Sequence, residues 1–220
     1  MDRDVSIPQS FAHIAQMPAP FTQGSLVIGI TGGTGCGKTT LLKLIAEQGG
    51  LILDCDAIYH ELLVSDTAML AAIEARFPGT VEAGKLNRKK LGGIVFADAQ
   101  ALLELNRITH AAVKQEVLRR LQTAPKLAAI DAIGLFEGGL AQLRDVTVAV
   151  TAPEEMRVRR LMQRDGISEE YARSRIRAQH KESWFRERCD YTLENNGKID
   201  AFATKCLAFL NTLGIMKENS

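Results

Sequence analysis

The chain has 220 residues, 46% of them hydrophobic, and a formal net charge of +1. That length and apolar content suit one α/β domain with a real core and exclude a disordered tail. Near-neutral charge gives no ground for nucleic acid or an anionic membrane as main partner, no run of about 18 apolar residues marks a membrane span, and four scattered cysteines without a CxxC pair exclude a disulfide framework or zinc site.

Residues 1–24 lack a basic segment followed by a long apolar one, so they read as an extension rather than a secretory signal. The cysteine usage then points to a reducing, cytoplasmic compartment. Leu26–Thr31 reads as a short buried strand that runs into a glycine loop. The segment KTTLLKLIAEQG has helical spacing and ends at Gly49-Gly50. Leu51–Asp54 reads as a second strand, and DTAMLAAIEARF as a helix stopped by Pro78-Gly79. Ala101–Leu121 sets Leu102, Leu105, Ile108, Ala112, Val113, Val117 and Leu121 along roughly one helical face, and Pro125 closes it. KLAAID and DVTVAV read as the third and fourth strands, and Ser168–Arg188 as one heavily charged helix. CDYTLEN supplies a fifth strand and DAFATKCLAFLNTL a closing helix. Alternating strands and helices predict a three-layer α/β/α fold on a five-stranded parallel sheet.

Gly32-x4-Gly37-Lys38-Thr39 fits the phosphate-loop pattern GxxxxGK[ST], between a strand and a helix as that motif requires. Gly33, Thr34, Gly35, Cys36 and Gly37 would turn backbone N–H groups toward phosphate, and Thr40 continues into the helix whose positive end faces it. Lys38 would bridge β- and γ-phosphates, and the Thr39 hydroxyl would ligate Mg²⁺. Cys36 reads as a small filler of the loop rather than a reactive thiol.

A loop of this kind serves GTPases, mechanical ATPases and small-molecule kinases alike. Asp131-Ala132-Ile133-Gly134 matches the DxxG of GTPases, but two fixed residues arise easily and no N-K-x-D follows. The length leaves little room for a motor. Nine arginines lie between Arg157 and Arg188, diluted by five acids. Most suit a solvated helix laced by ion pairs. Arg160 and Arg164 are assigned instead to a lid over 157–188 that closes on the transferring phosphate and excludes water.

At this point several separate segments agree. IGITGGTGCGKTT, LILDCDAI, GKLNRKKLGGIVFAD, LNRITHAAV, DAIGLFEGGL, RLMQRDGISEEYARSRIRAQ and CDYTLENNG follow one another from about Leu26 to Gly197. In that order they resemble the dephospho-coenzyme A kinase family. The resemblance implies a P-loop kinase core over 25–220, a mostly helical acceptor-binding region over 57–124, ATP and Mg²⁺, and dephospho-coenzyme A as small-molecule partner. The implied reaction is phosphorylation of its ribose 3′-hydroxyl to give coenzyme A. Nucleic acid and membrane are not expected partners, and both a monomer and a small homo-oligomer stay open.

The resemblance also carries roles. Asp56 matches the aspartate proposed as general base, where a helix N-cap is the ordinary alternative. Asp54 would orient Asp56 or hold Mg²⁺ through water, and Asp131, at the end of the third strand, is the second candidate for that support. Arg88, His110 and Glu137 match acceptor-side positions. Asn196 and Gly197 match the N-x-G beside the adenine of ATP, though a turn explains Asn-Gly equally well. Departures from the pattern fall at His60, where Arg is expected, Ala111 and Ile133 for Pro, Gly134 for Leu, and Arg157 for Gln. A related kinase with another nucleotide-like acceptor, and a non-catalytic or GTPase-like nucleotide switch, are the competing readings.

Overall fold

The computed structural model describes residues 25–215, so the extension expected at 1–24 lies outside the described residues. Five parallel strands form the sheet: β1 (Leu26–Thr31), β2 (Leu51–Asp54), β5 (Leu127–Asp131), β6 (Val146–Thr151) and β7 (Tyr191–Glu194), in the order β2-β5-β1-β6-β7. Strand alternation sends Val27, Leu53, Ala128 and Ile130 into one apolar cluster and Ile28, Ile30, Leu127 and Ala129 into the other. Burial on both faces explains why these strands read as continuous apolar runs. Helix α1 (Lys38–Glu47) and α9 (Ile199–Thr212) cover one face. Helices α2 (Cys55–Ser65), α3 (Thr67–Arg76), α4 (Arg88–Val95) and α5 (Ala99–Leu121) cover the other, with a small hairpin of β3 (Val81–Glu82) and β4 (Lys85–Leu86) beside them. The expected three-layer fold is present. No helix among the described residues is long and apolar enough to cross a membrane.

Helix α5 shows how local chemistry sets an element. The Asp98 carboxylate accepts the N–H groups of Gln100 and Ala101 and so caps its start. Its buried stripe is Ala101, Leu105, Thr109, Val113, Val117 and Leu121, one residue every four. The expected face was slightly rotated: Leu102, Ile108 and Ala112 are only partly buried, and Thr109 takes the core position instead. Its hydroxyl donates back to the Leu105 carbonyl, which lets a threonine be buried there.

After β6 the chain forms α6 (Glu154–Asp165), α7 (Glu169–Arg177) and α8 (Glu182–Arg188). The single helix expected over Ser168–Arg188 is therefore two, parted at 178–181. The cause is tertiary. Gln179 and His180 in the gap bond Thr34 of the phosphate loop and Glu137 of the loop after β5. A continuous helix would carry both side chains away from those partners.

Candidate active site

Strands β1, β2 and β5 deliver their carboxyl ends to one crevice, where open α/β sheets bind ligands. The glycine loop leaves β1 there and hands over to α1. Gly37 caps that helix in a left-handed conformation (φ 94°), and a Cβ on it would come within 2.3 Å of Asn195. A cavity of about 620 Å³ opens above the loop. Thr34, Gly35, Cys36, Gly37, Lys38 and Thr39 line it together with the acids Asp54, Asp56 and Asp131, the arginines Arg160, Arg164 and Arg175, and Gln179. Gly33 and Thr40 are not on its surface. Cys36 is buried, and burial raises its thiol pKa, with Arg157 and Lys38 opposing. That suits a packing side chain and not a nucleophile.

The three acids are differently placed. Asp54, not Asp56, caps α2: its Oδ1 accepts the N–H groups of Asp56 and Ala57 at 2.9 and 3.0 Å. Asp56 is the second residue of the helix, and among the described residues no hydrogen bond engages its carboxylate. Asp131 is deep at the end of β5. Burial pushes its pKa up to about 6, Lys38 opposes that, and the Asp54 and Asp56 charges add to it. Its Oδ1 is buried without a hydrogen-bond partner, with Lys38 Nζ at 3.8 Å. Lys38 donates to the Gly32 carbonyl at 3.1 Å, so the lysine curls back over the loop.

Helix α6 reaches the loop from the other side. Arg160 Nη1 donates to the carbonyls of Gly35 and Cys36 at 3.1 and 3.3 Å, and Nη2 to Asn195 Oδ1 at 3.1 Å. Asn195 Nδ2 donates to the Cys36 carbonyl at 2.9 Å. Arg164 faces the cavity but pairs with Asp165 at 2.6 and 3.0 Å, an acid shared with Arg175 at 2.7 Å. Asn196, expected near adenine, instead meets Lys205, and neither it nor Gly197 lines the cavity. Asn195, Arg157 and Gln179 are neighbours of the loop to which sequence reasoning gave no role. For Asn195 the choice within Asn195-Asn196-Gly197 turns on a one-residue register set by its N–H bond to the Thr151 carbonyl, which composition does not reveal.

A second pocket of about 250 Å³ adjoins the first. Tyr59, Asn106, Thr109, His110, Gly134 and Leu140 line it, and it shares Asp56 and Ile133 with the larger cavity. Arg88 and Glu137 line neither. Arg88 is exposed at the start of α4, near enough to lower the Tyr59 pKa that burial raises. Glu137 turns to His180 Nε2 at 2.7 Å. Among the described residues no three His, Cys, Asp or Glu side chains make a ready cation cage.

Known proteins share this arrangement. The family model described as dephospho-CoA kinase matches residues 26–201. A protein of that name from Syntrophotalea carbinolica is 36% identical over 194 residues, covering 86% of this chain and 92% of its own. Another from Anaeromyxobacter dehalogenans is 38% identical over 185 residues, with 81% and 88% covered. A crystal structure from Thermus thermophilus superposes with a TM-score of 0.72 at 33% identity, over 87% of this chain and 99% of that one. A shikimate kinase from Bacteroides thetaiotaomicron, at 18% identity and TM-score 0.52, shares the fold. Matches that run along nearly the whole length of these relatives lead to one conclusion: this chain is a kinase of the dephospho-CoA kinase family.

Proposed function

We propose that the protein transfers the γ-phosphoryl group of ATP to the ribose 3′-hydroxyl of dephospho-coenzyme A, giving coenzyme A and ADP. The observation that carries this reading is the place of Asp56, which lines both the phosphate-loop cavity and the adjoining pocket. A donor held by the loop and an acceptor held between α2, α5 and the loop after β5 would meet at that carboxylate. Asp56 takes the proton of the 3′-hydroxyl, the hydroxyl oxygen bonds to the γ-phosphorus, and the bond from that phosphorus to the β–γ bridging oxygen breaks. The electron pair leaves on ADP. Lys38, Arg160 and Arg164 supply positive charge where phosphate oxygens gather it. His110 and Tyr59, which line the second pocket, would hold the acceptor, and Arg88 and Glu137 would reach it only from outside that pocket.

The residues fit Mg²⁺. A hard cation in phosphoryl transfer takes few protein oxygens beside phosphates and water. The partnerless Asp131 Oδ1 and the cavity-facing Thr39 are such donors, with Asp54 a candidate through water. Bound there, the ion would neutralise charge on the transferring phosphates. Helices α6 and α7, over the loop, would act as the lid. Cys36, Cys55, Cys189 and Cys206 are all free thiols, which supports a reducing, cytoplasmic setting. A GTPase-like switch is not favoured, because Ile133 and Gly134 of the DxxG stretch border the second pocket instead of standing over the loop alone.

Incubating pure protein with ATP, Mg²⁺ and dephospho-coenzyme A should yield 3′-phosphorylated product. ADP formation without that product would leave a kinase of another acceptor, and GTP preference without transfer would favour the switch.

A further inference from the structure

Arg157 is 8% exposed, an unusual place for an arginine, and its guanidinium is spent on the phosphate loop. Nε donates to the Thr34 carbonyl at 2.8 Å, and Nη2 donates to Gln179 Oε1 at 3.0 Å. The same Gln179 oxygen accepts the Thr34 N–H at 2.9 Å. Both backbone groups of Thr34 are therefore held from outside the loop, by α6 and by the joint between α7 and α8. The loop is built to admit this. A Cβ on Gly33 would lie 2.3 Å from Arg157 Nη2 and 2.9 Å from Gln179 Oε1, and one on Gly35 would lie 3.0 Å from the Arg157 carbonyl. These glycines make room for the arginine as well as for phosphate.

We infer that Arg157 and Gln179 are positioning residues that clamp Thr34, so that the two roots of the helical arm hold the phosphate loop in its nucleotide-receiving shape. Arg157 does not line the cavity, and Gln179, which does, turns its Oε1 to Thr34 and Arg157. Their role presupposes that the loop binds ATP. Between the two roots, Val158, Leu161, Ala172 and Ile176 pack as a small apolar cluster apart from the main core. A loop amide and carbonyl already tied to partners outside the loop lose little further freedom when ATP arrives, so the clamp acts on donor affinity. The acceptor pocket, lined from α2, α5 and the loop after β5, includes neither residue.

The test uses the full chain and two variants of retained length, Arg157→Met and Gln179→Met, with ATP binding by calorimetry and steady-state kinetics on both substrates. Each variant should weaken ATP binding and raise its KM about tenfold, the scale of one lost charge-assisted hydrogen bond. The KM for dephospho-coenzyme A should stay within about twofold, and the double variant should be no weaker than the worse single, because one clamp is broken either way. A lowered melting temperature with unchanged ATP binding, equal rises in both KM values, or additive losses would each overturn the clamp. Gln179 is half-exposed, so Gln179→Met answers even if Arg157→Met does not fold. Wild-type chain that fails to bind ATP overturns the nucleotide reading and the clamp with it, whereas normal wild-type binding with unaltered variants overturns the clamp alone.

Discussion

Asp54 spends its carboxylate on the backbone of α2, which leaves the Asp56 carboxylate, two positions on, to face both cavities. Asp56→Asn keeps the shape and removes the base. It should lower kcat by roughly 10²–10⁴ with ATP affinity little changed, and an unaltered kcat would take that role from Asp56. Asp131 makes a different prediction. Its pKa is raised from 3.8 to about 6 by burial, so between those values the folded chain keeps a proton that the unfolded chain has lost. Its contribution to stability therefore falls as pH rises through that window and stays low above it. In metal-free buffer, urea unfolding should show Asp131→Asn gaining on wild type by about 1–3 kcal/mol between about pH 4 and pH 7. A constant gap would mean that Lys38 keeps the carboxylate charged throughout. Of the candidate residues, Lys38 and Thr39 were legible because each follows from a fixed offset in a loop motif. Asp56 was legible through the family resemblance, but its neighbour's capping role was not, because both Asp54 and Asp56 suit a helix start.

At the scale of the element, the arm of α6, α7 and α8 departs most from expectation. Residues 178–181 contain neither Gly nor Pro, so nothing local breaks the helical pattern there. The break comes from what Gln179 and His180 bind. His180 also stacks on Trp184 with ring centroids 3.9 Å apart, which fixes the start of α8 against the joint. Arg164 tests the arm as a lid. Its pair with Asp165 lies at the surface, where solvent screens it and it adds little to stability. Arg164→Ala should then lower kcat about tenfold or more while the melting temperature moves by no more than about 3 °C. A thermal effect alone would return Arg164 to the solvated surface. Helix α5, by contrast, was readable from its apolar spacing, though its start at Ala99, set by the Asp98 cap, lies two residues before the Ala101 read from that spacing. The small rotation that buries Thr109 also escaped.

Across the molecule, the phosphate loop lies where the two apolar clusters meet at the end of the sheet. Cys36 belongs to one cluster, while Cys55, beside Asp56, belongs to the other. A ligand that binds here and not in the unfolded chain stabilises the whole fold by mass action. At about 100 times its dissociation constant, ATP should contribute about 2.7 kcal/mol. For a chain of this size that raises the melting temperature by roughly 5–10 °C. Lys38→Ala should lose most of the shift while keeping its ligand-free melting temperature near that of wild type. A full shift in Lys38→Ala would show that the loop is not the nucleotide site.

Sequence alone determined the layered sheet, the loop on β1 and the family, because each rests on periodicities, offsets and ordered motifs that operate within short segments. The partners of that loop were decided only by tertiary structure. Thr34 meets Arg157 and Gln179, Gly37 makes room for Asn195, and Asp56 stands where two pockets join. These contacts span more than a hundred residues of chain or depend on a one-residue register. No local propensity encodes either, since both arise when the parallel strands bring separate loops to one edge.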